Sequence, residues 1–194
     1  MKGARIRVAA LAATLAVVLS AGAVAAHEFT AAILVAGDDG EARLADAVRG
    51  MLMAADERDG HLDETSDGHL GGVDVQVLPL PEAAAGRVEG LWGTPIIPPD
   101  VVVVMGSEAE ARAALAAFGW DSIVLAPGTL PTGWAEGSFA TRYRSAYGTE
   151  PTDAAAEGYN ASRRLDQAIR PRGGIEPRSG VEAALADSAG GIDW

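Results

Sequence analysis

The chain has 194 residues, no cysteine, and 27 acidic against 15 basic side chains, for a formal net charge of −12. That charge repels polyanions and argues against nucleic acid as a partner. The missing thiol excludes disulfides and argues against a lipid-anchored amino terminus.

Residues 1–26 read as a secretory signal peptide. A basic start (Lys2, Arg5, Arg7) precedes the apolar run "VAALAATLAVVLSAGAVAA", which ends in small residues. Cleavage is expected after Ala25 or Ala26, and the apolar part is short for a bilayer span, so no stable membrane anchor is expected. Residues 27–194 then form one domain, long enough to bury a core, and the expected location is the periplasm. Three of the 15 basic residues lie in the leader, leaving 12 against 27 acids, a net of −15 with no lysine.

"TAAILVAG" (30–37) is a continuous apolar run of strand length ending at glycine. Leu44, Ala45, Val48, Met51, Leu52 and Ala55 then recur at helical spacing and predict a helix over 41–57. "VDVQV" (73–77) alternates with period two, the pattern of a half-buried strand. Ala84, Val88 and Leu91 could make one short helix, although Gly86 and Gly90 weaken it, and a proline-rich loop follows from Trp92. "PDVVVVMG" (99–106) is a second buried strand, Ala111, Ala114, Leu115 and Phe118 mark a helix, and "SIVLAPG" (122–128) is another strand. Continuous β-branched runs alternating with helices predict an α/β fold with a mostly parallel sheet covered on both faces.

After Pro131 the pattern turns helical. Phe139, Tyr143, Ala146 and Tyr147 share one helix face, and Gly148 is placed to end that helix. Pro151 and Thr152 open the next helix, with Asp153 in its first turn and a buried stripe through Ala155, Tyr159, Ser162, Leu165 and Ile169. The three tyrosines are expected to be packing anchors whose hydroxyls reach water. Ser179 to Glu182 reads as a capping box for a closing helix through Leu185.

Two motifs suggest metal chemistry. In "DETSDGHLGGVD" (63–74), Asp63, Thr65, Asp67 and Asp74 occupy the first, third, fifth and twelfth positions of a calcium-type loop, with Gly68 at the sixth. An acidic, glycine-rich connection has the same composition without binding any ion. His27, once amino-terminal, could chelate copper with its own amine, whereas His61 and His69 have no partners fixed by spacing and read as surface residues. No nucleophile elbow, phosphate-cradling glycine loop or zinc spacing occurs, so no enzyme activity and no cofactor are expected.

The segment "FATRYRSAYGTEPTDAAAEGYNASRRLDQAI", with Phe139, Tyr143, Gly148, Pro151 and the run Gly158-Tyr159-Asn160-Ala161, resembles type I periplasmic solute-binding proteins, the leucine/isoleucine/valine-binding family. "GMLMAADERDG", "GGVDVQVLPLP", "VVVVMGSEAEARAAL" and "VEAALADS" resemble that family's first helix, second strand, third strand with following helix, and closing helix. The resemblance implies a Rossmann-like sheet flanked by helices, a small polar solute such as an amino acid, and an ABC-type permease as partner. Family members close two such lobes on a ligand, and this chain is too short for both, so it implies a single lobe with a helical C-terminal segment. A second alignment would place 99–128 in the other lobe. A lone lobe could also serve as an interaction or homodimerisation module that has lost transport.

The ligand positions implied by the resemblance are Asp38, Asp39, Ser107, Glu110 and Thr129. Glu110 stands where amino-acid binders have a carboxylate-holding serine, and Ala126 replaces another serine of the loop that retains Thr129. The five implied positions together, three of them acidic, favour a cationic or neutral solute.

Overall fold

The structure, a computed structural model, describes residues 28–58, 65–81, 98–106, 109, 113, 116 and 121–194. Its strands are β1 (Glu28–Ala36), β2 (His69–Leu70), β3 (Val73–Pro81), β4 (Val101–Gly106) and β5 (Ile123–Leu125). Its helices are α1 (Gly40–Asp56), α2 (Ser138–Tyr147), α3 (Asp153–Ile169) and α4 (Arg178–Asp187), with a 3-10 turn at Trp134–Glu136 before α2. The leader, the candidate helix at 84–91 and its loop, and His27, His61 and Asp63 lie outside the described residues, as does most of the helix expected near 111–118. Residues 109, 113 and 116 are helical.

The five strands form one sheet in the order β2-β3-β1-β4-β5, curled into a half-barrel. All pairings are parallel except β2 with β3. β4 and β5 therefore continue the sheet begun by β1 and β3, and do not start a second one. The two continuous apolar runs take the inner positions because only residues buried on both faces fit there. From Ala31 to Ala36, β1 has no exposed residue, whereas β3 alternates buried with partly exposed side chains over 73–77.

Alternation divides the strands between two clusters. Phe29, Ala31, Ile33 and Val35 of β1 join Val101, Val103 and Met105 of β4 in the larger core, with α1, α3 and α4. Ala32, Leu34 and Ala36 join Val102 and Val104 in a smaller cluster on the opposite face. α1 lies on β1 and β3, α3 lies against α1, and α4 packs on α3 and β5.

Small residues set the α1–α3 distance. A Cβ built on Gly50 would stand 1.9 Å from the Ala155 carbonyl oxygen, and one on Gly158 would stand 2.1 Å from that of Ala47. The backbones thus touch at two points, which side chains of ordinary size would prevent.

Three local expectations need correction. β2 has no counterpart in the sequence reading. It is a two-residue strand folded back on β3 through Gly71 and Gly72, whose φ values of 68° and 80° suit a tight hairpin turn that only glycine adopts freely. β5 is only three residues long, because the chain turns away at Ala126-Pro127-Gly128. The Ser179–Glu182 capping box does not form: α4 begins one residue earlier at Arg178, with Pro177 in the cap position and no side-chain cap bond. A proline there already fixes φ and has no N–H to satisfy. By contrast Thr152 caps α3, accepting from the Ala155 N–H at 3.3 Å, and Gly148 ends α2.

Candidate functional site

The aromatic residues of 139–159 build a cluster between α1, α2 and α3. Phe139 packs on Tyr143, Tyr159 and Trp194, with ring centroids 5.7, 4.6 and 5.0 Å away. Tyr143 and Tyr159 are fully buried. Their expected exposure to water through the hydroxyl fails for Tyr159, which donates to Glu57 Oε2 at 2.7 Å and accepts from Arg142 Nη2 at 2.9 Å. Burial, with the Glu57 hydrogen bond second, holds the Tyr159 phenol above its ordinary pKa. The Tyr147 hydroxyl donates to the Arg49 carbonyl at 3.0 Å. These bonds tie α1, α2 and α3 together.

The next residue, Asn160, fixes the loop after β5. It is fully buried, and its Nδ2 donates to the carbonyls of Pro127 (2.8 Å) and Thr129 (3.2 Å) while Oδ1 accepts from Trp194 Nε1 (2.7 Å). One turn on, buried Arg164 donates to the Ala126 and Leu185 carbonyls and to Ser188 Oγ. Desolvation lowers the Arg164 pKa. A charged side chain bound to carbonyls in this way is costly to bury and correspondingly costly to remove.

The loop held by Asn160 and Arg164 forms one wall of a cavity of about 310 Å3 at the carboxyl ends of β4 and β5. Its floor is Val104, Met105 and Gly106, its far wall Val124 and residues 126–128, and its one charged described lining residue is Glu157 of α3. Gly106 is needed where it stands, since a Cβ there would be 2.1 Å from the Ala36 carbonyl oxygen. Glu157 is half-buried, and Arg43 of α1 reaches its Oε2 at 3.5 Å. Burial raises the Glu157 carboxyl above the usual carboxylate range. Arg43 opposes that rise, and Asp153 adds to it.

The sequence-derived candidates distribute differently. Asp38 and Asp39 are exposed in the turn between β1 and α1, with Asp39 in the left-handed region at φ 58° and no side-chain cap bond to α1. Thr129 is exposed, and its backbone is occupied by Ala189 and Asn160. Ser107 and Glu110 lie outside the described residues. None of the three described candidates lines the cavity, although Gly106 and Gly128, the chain neighbours of Ser107 and Thr129, do. Glu157 escaped the sequence reading because it sits among the alanines of a helix stripe. Its signal was being the one charge in "AAAEGY".

The described part of the calcium-type loop runs into the β2–β3 hairpin, and Asp63 lies outside the described residues. His69, expected at the surface, is buried there against Asp74. Asp67 Oδ2 accepts from the Val77 N–H at 2.7 Å, Asp74 pairs with His69 Nε2 at 2.7 Å, and the Thr65 carbonyl accepts from Gln76. Among the described residues no three acidic or histidine side chains gather to hold a metal. No described helix is long and apolar enough to cross a membrane. Comparison with family models, curated proteins and solved structures returns no match for this chain.

Proposed function

We propose that the protein is a non-catalytic, single-lobed relative of type I periplasmic solute-binding proteins, binding a small polar solute for an ABC-type uptake system. The observation that carries this reading is the cavity at the carboxyl ends of β4 and β5, with Glu157 as its charged group. Ligands of doubly wound sheets sit beyond the strand ends where the strand order reverses. Here the parallel strands run β3-β1-β4-β5, so the reversal falls between β1 and β4, next to the cavity. The helical segment 139–169 supports the reading too: its glycine approaches α1, its tyrosine packs the aromatic core, and its asparagine holds the ligand-side loop. A site of this size, open on one side, covers less ligand than a closed cleft, so modest affinity is expected.

A thermal-shift screen of the purified protein against amino acids, polyamines, small carboxylates, sugars and calcium tests it. A ligand at a hundred times its dissociation constant adds about 2.7 kcal/mol of stability, enough to move the midpoint by several degrees. A cooperatively unfolding protein with no shift from any solute would sink the proposal.

One observation favours a second reading, an interaction module. Leu78, Ala32, Val102 and Val124 are cross-strand neighbours in one row on the sheet's second face, and the outer two are exposed by 42% and 53%. Light scattering that gives a concentration-dependent dimer, together with a flat solute screen, would select that reading.

A further inference from the structure

The chemistry of the cavity narrows its ligand. Apart from Glu157 its described walls are apolar side chains (Val104, Met105, Val124, Pro127) or backbone. The Ala126 and Pro127 carbonyls at its edge already accept from Arg164 and Asn160. Arg43 engages only Oε2 of Glu157, at 3.5 Å, and Oε1 has no hydrogen bond among the described residues. Arg43 itself is not part of the cavity lining. The site therefore offers one partly desolvated carboxylate oxygen at the end of an apolar wall, with no cation in its described lining to receive a ligand carboxylate.

We infer that this cavity takes a monocationic organic amine with an apolar tail, its ammonium on Glu157 and its alkyl part along Val104, Met105 and Val124. The inference rests on the solute-binding reading and sharpens it from a polar solute to an ammonium compound. A buried carboxylate is satisfied by a donor that brings the opposite charge, and an ammonium supplies three N–H groups for it. A chain with 27 acidic and 15 basic residues draws cations toward its surface and repels anions. A zwitterionic amino acid fits less well, because in the described lining its carboxylate would meet valine, methionine, proline and backbone.

Isothermal titration calorimetry with n-pentylamine, 1-pentanol, pentanoate and L-norleucine at neutral pH tests this. All four share an alkyl body and differ in charge. The amine is expected to bind saturably and more tightly than the other three. Glu157→Gln should weaken it about 10- to 100-fold, the range for a hydrogen bond to a charged group. Val124→Trp, at a side chain exposed enough to accept the ring without disturbing the fold, should block the cavity and abolish the signal. 1-Pentanol or pentanoate binding as tightly as the amine overturns the ammonium assignment, and norleucine binding as tightly overturns the preference for a monocation; either leaves solute binding standing. A wider solute panel that shifts the melting point of the unmodified protein, but not of Val124→Trp, when pentylamine does not bind, likewise overturns the ammonium assignment and leaves solute binding standing. Amine binding that survives both substitutions is nonspecific attraction to an acidic surface and overturns the inference. Silence from all four compounds and from the wider panel removes the solute-binding reading as well.

Discussion

Single residues show where stability has been given up for a site. Burial raises the folded-state carboxyl of Glu157 above its unfolded value, so the folded protein holds that proton more tightly. Stability attributable to Glu157 therefore falls as pH rises from the ordinary carboxylate range through the folded value. Glu157→Gln is expected to raise the unfolding midpoint at pH 7, since the partly exposed Arg43 pair contributes little. The gain should vanish once the pH is low enough to protonate the carboxyl in both states. A midpoint at pH 7 that drops instead would mean the carboxylate stabilises the fold. Tyr159 is the opposite case, because its hydroxyl is bonded on two sides, to Glu57 and Arg142. Tyr159→Phe keeps the ring and leaves those partners facing an apolar edge, so urea titration should show a loss of about 1–3 kcal/mol. Glu157 was hard to single out in the sequence because an acid in an amphipathic helix normally faces water. Tyr159 was legible as a packing residue, but its hydroxyl partners lie 17 and 102 positions away in the chain.

Elements follow from periodicity where one face is buried, and depart from it where a neighbour decides. α1 and α3 appear in the sequence as apolar stripes, and their ends agree with the predicted 41–57 and with the cap at Thr152. Which helix each would meet is not written in either stripe. The glycines hold that information, because Gly50 and Gly158 mark the points of backbone contact. Gly50→Ala or Gly158→Ala would force the helices apart and is expected to cost about 3 kcal/mol or more, the scale of severe core overpacking. Gly174→Ala, where an added Cβ meets nothing within 4 Å, should leave the midpoint nearly unchanged. Chemical denaturation of the three variants checks the contrast; helix propensity favours alanine over glycine, so unchanged or raised stability at Gly50 and Gly158 would show that the crossing is not as tight as the backbone contacts imply. β2 and the short β5 were not legible for a related reason. Two residues are too few to show a period, and β5 stops where the loop after it is held by Asn160 and Arg164, residues of α3.

At the scale of the whole molecule, one sheet joins α1, α3 and α4, while α2 is attached through α1 and α3. β1 pairs with strands on both sides, and its side chains enter both clusters. Native-state hydrogen exchange should therefore be slowest in β1 and β4 and in the middle of α3, and faster in β5, which has a strand neighbour on one side only. Slow exchange confined to the helices would separate them from the sheet as an independent unit. The row from Leu78 to Val124 has its exposed ends on the second face, and Val124 also lines the cavity at the carboxyl edge, so solute binding and association would meet at that residue.

The sequence alone determined the α/β class, the parallel character of the inner strands and the two long helices. Each of these depends on local periodicity or on a continuous apolar run, and both are carried by neighbouring residues. Strand order, the α1–α3 crossing and the placing of Glu157 beside Gly106 and Gly128 were decided only by tertiary structure. Those features join residues tens of positions apart, and the free energy that selects them comes from close packing and desolvation, which no single stretch of chain contains.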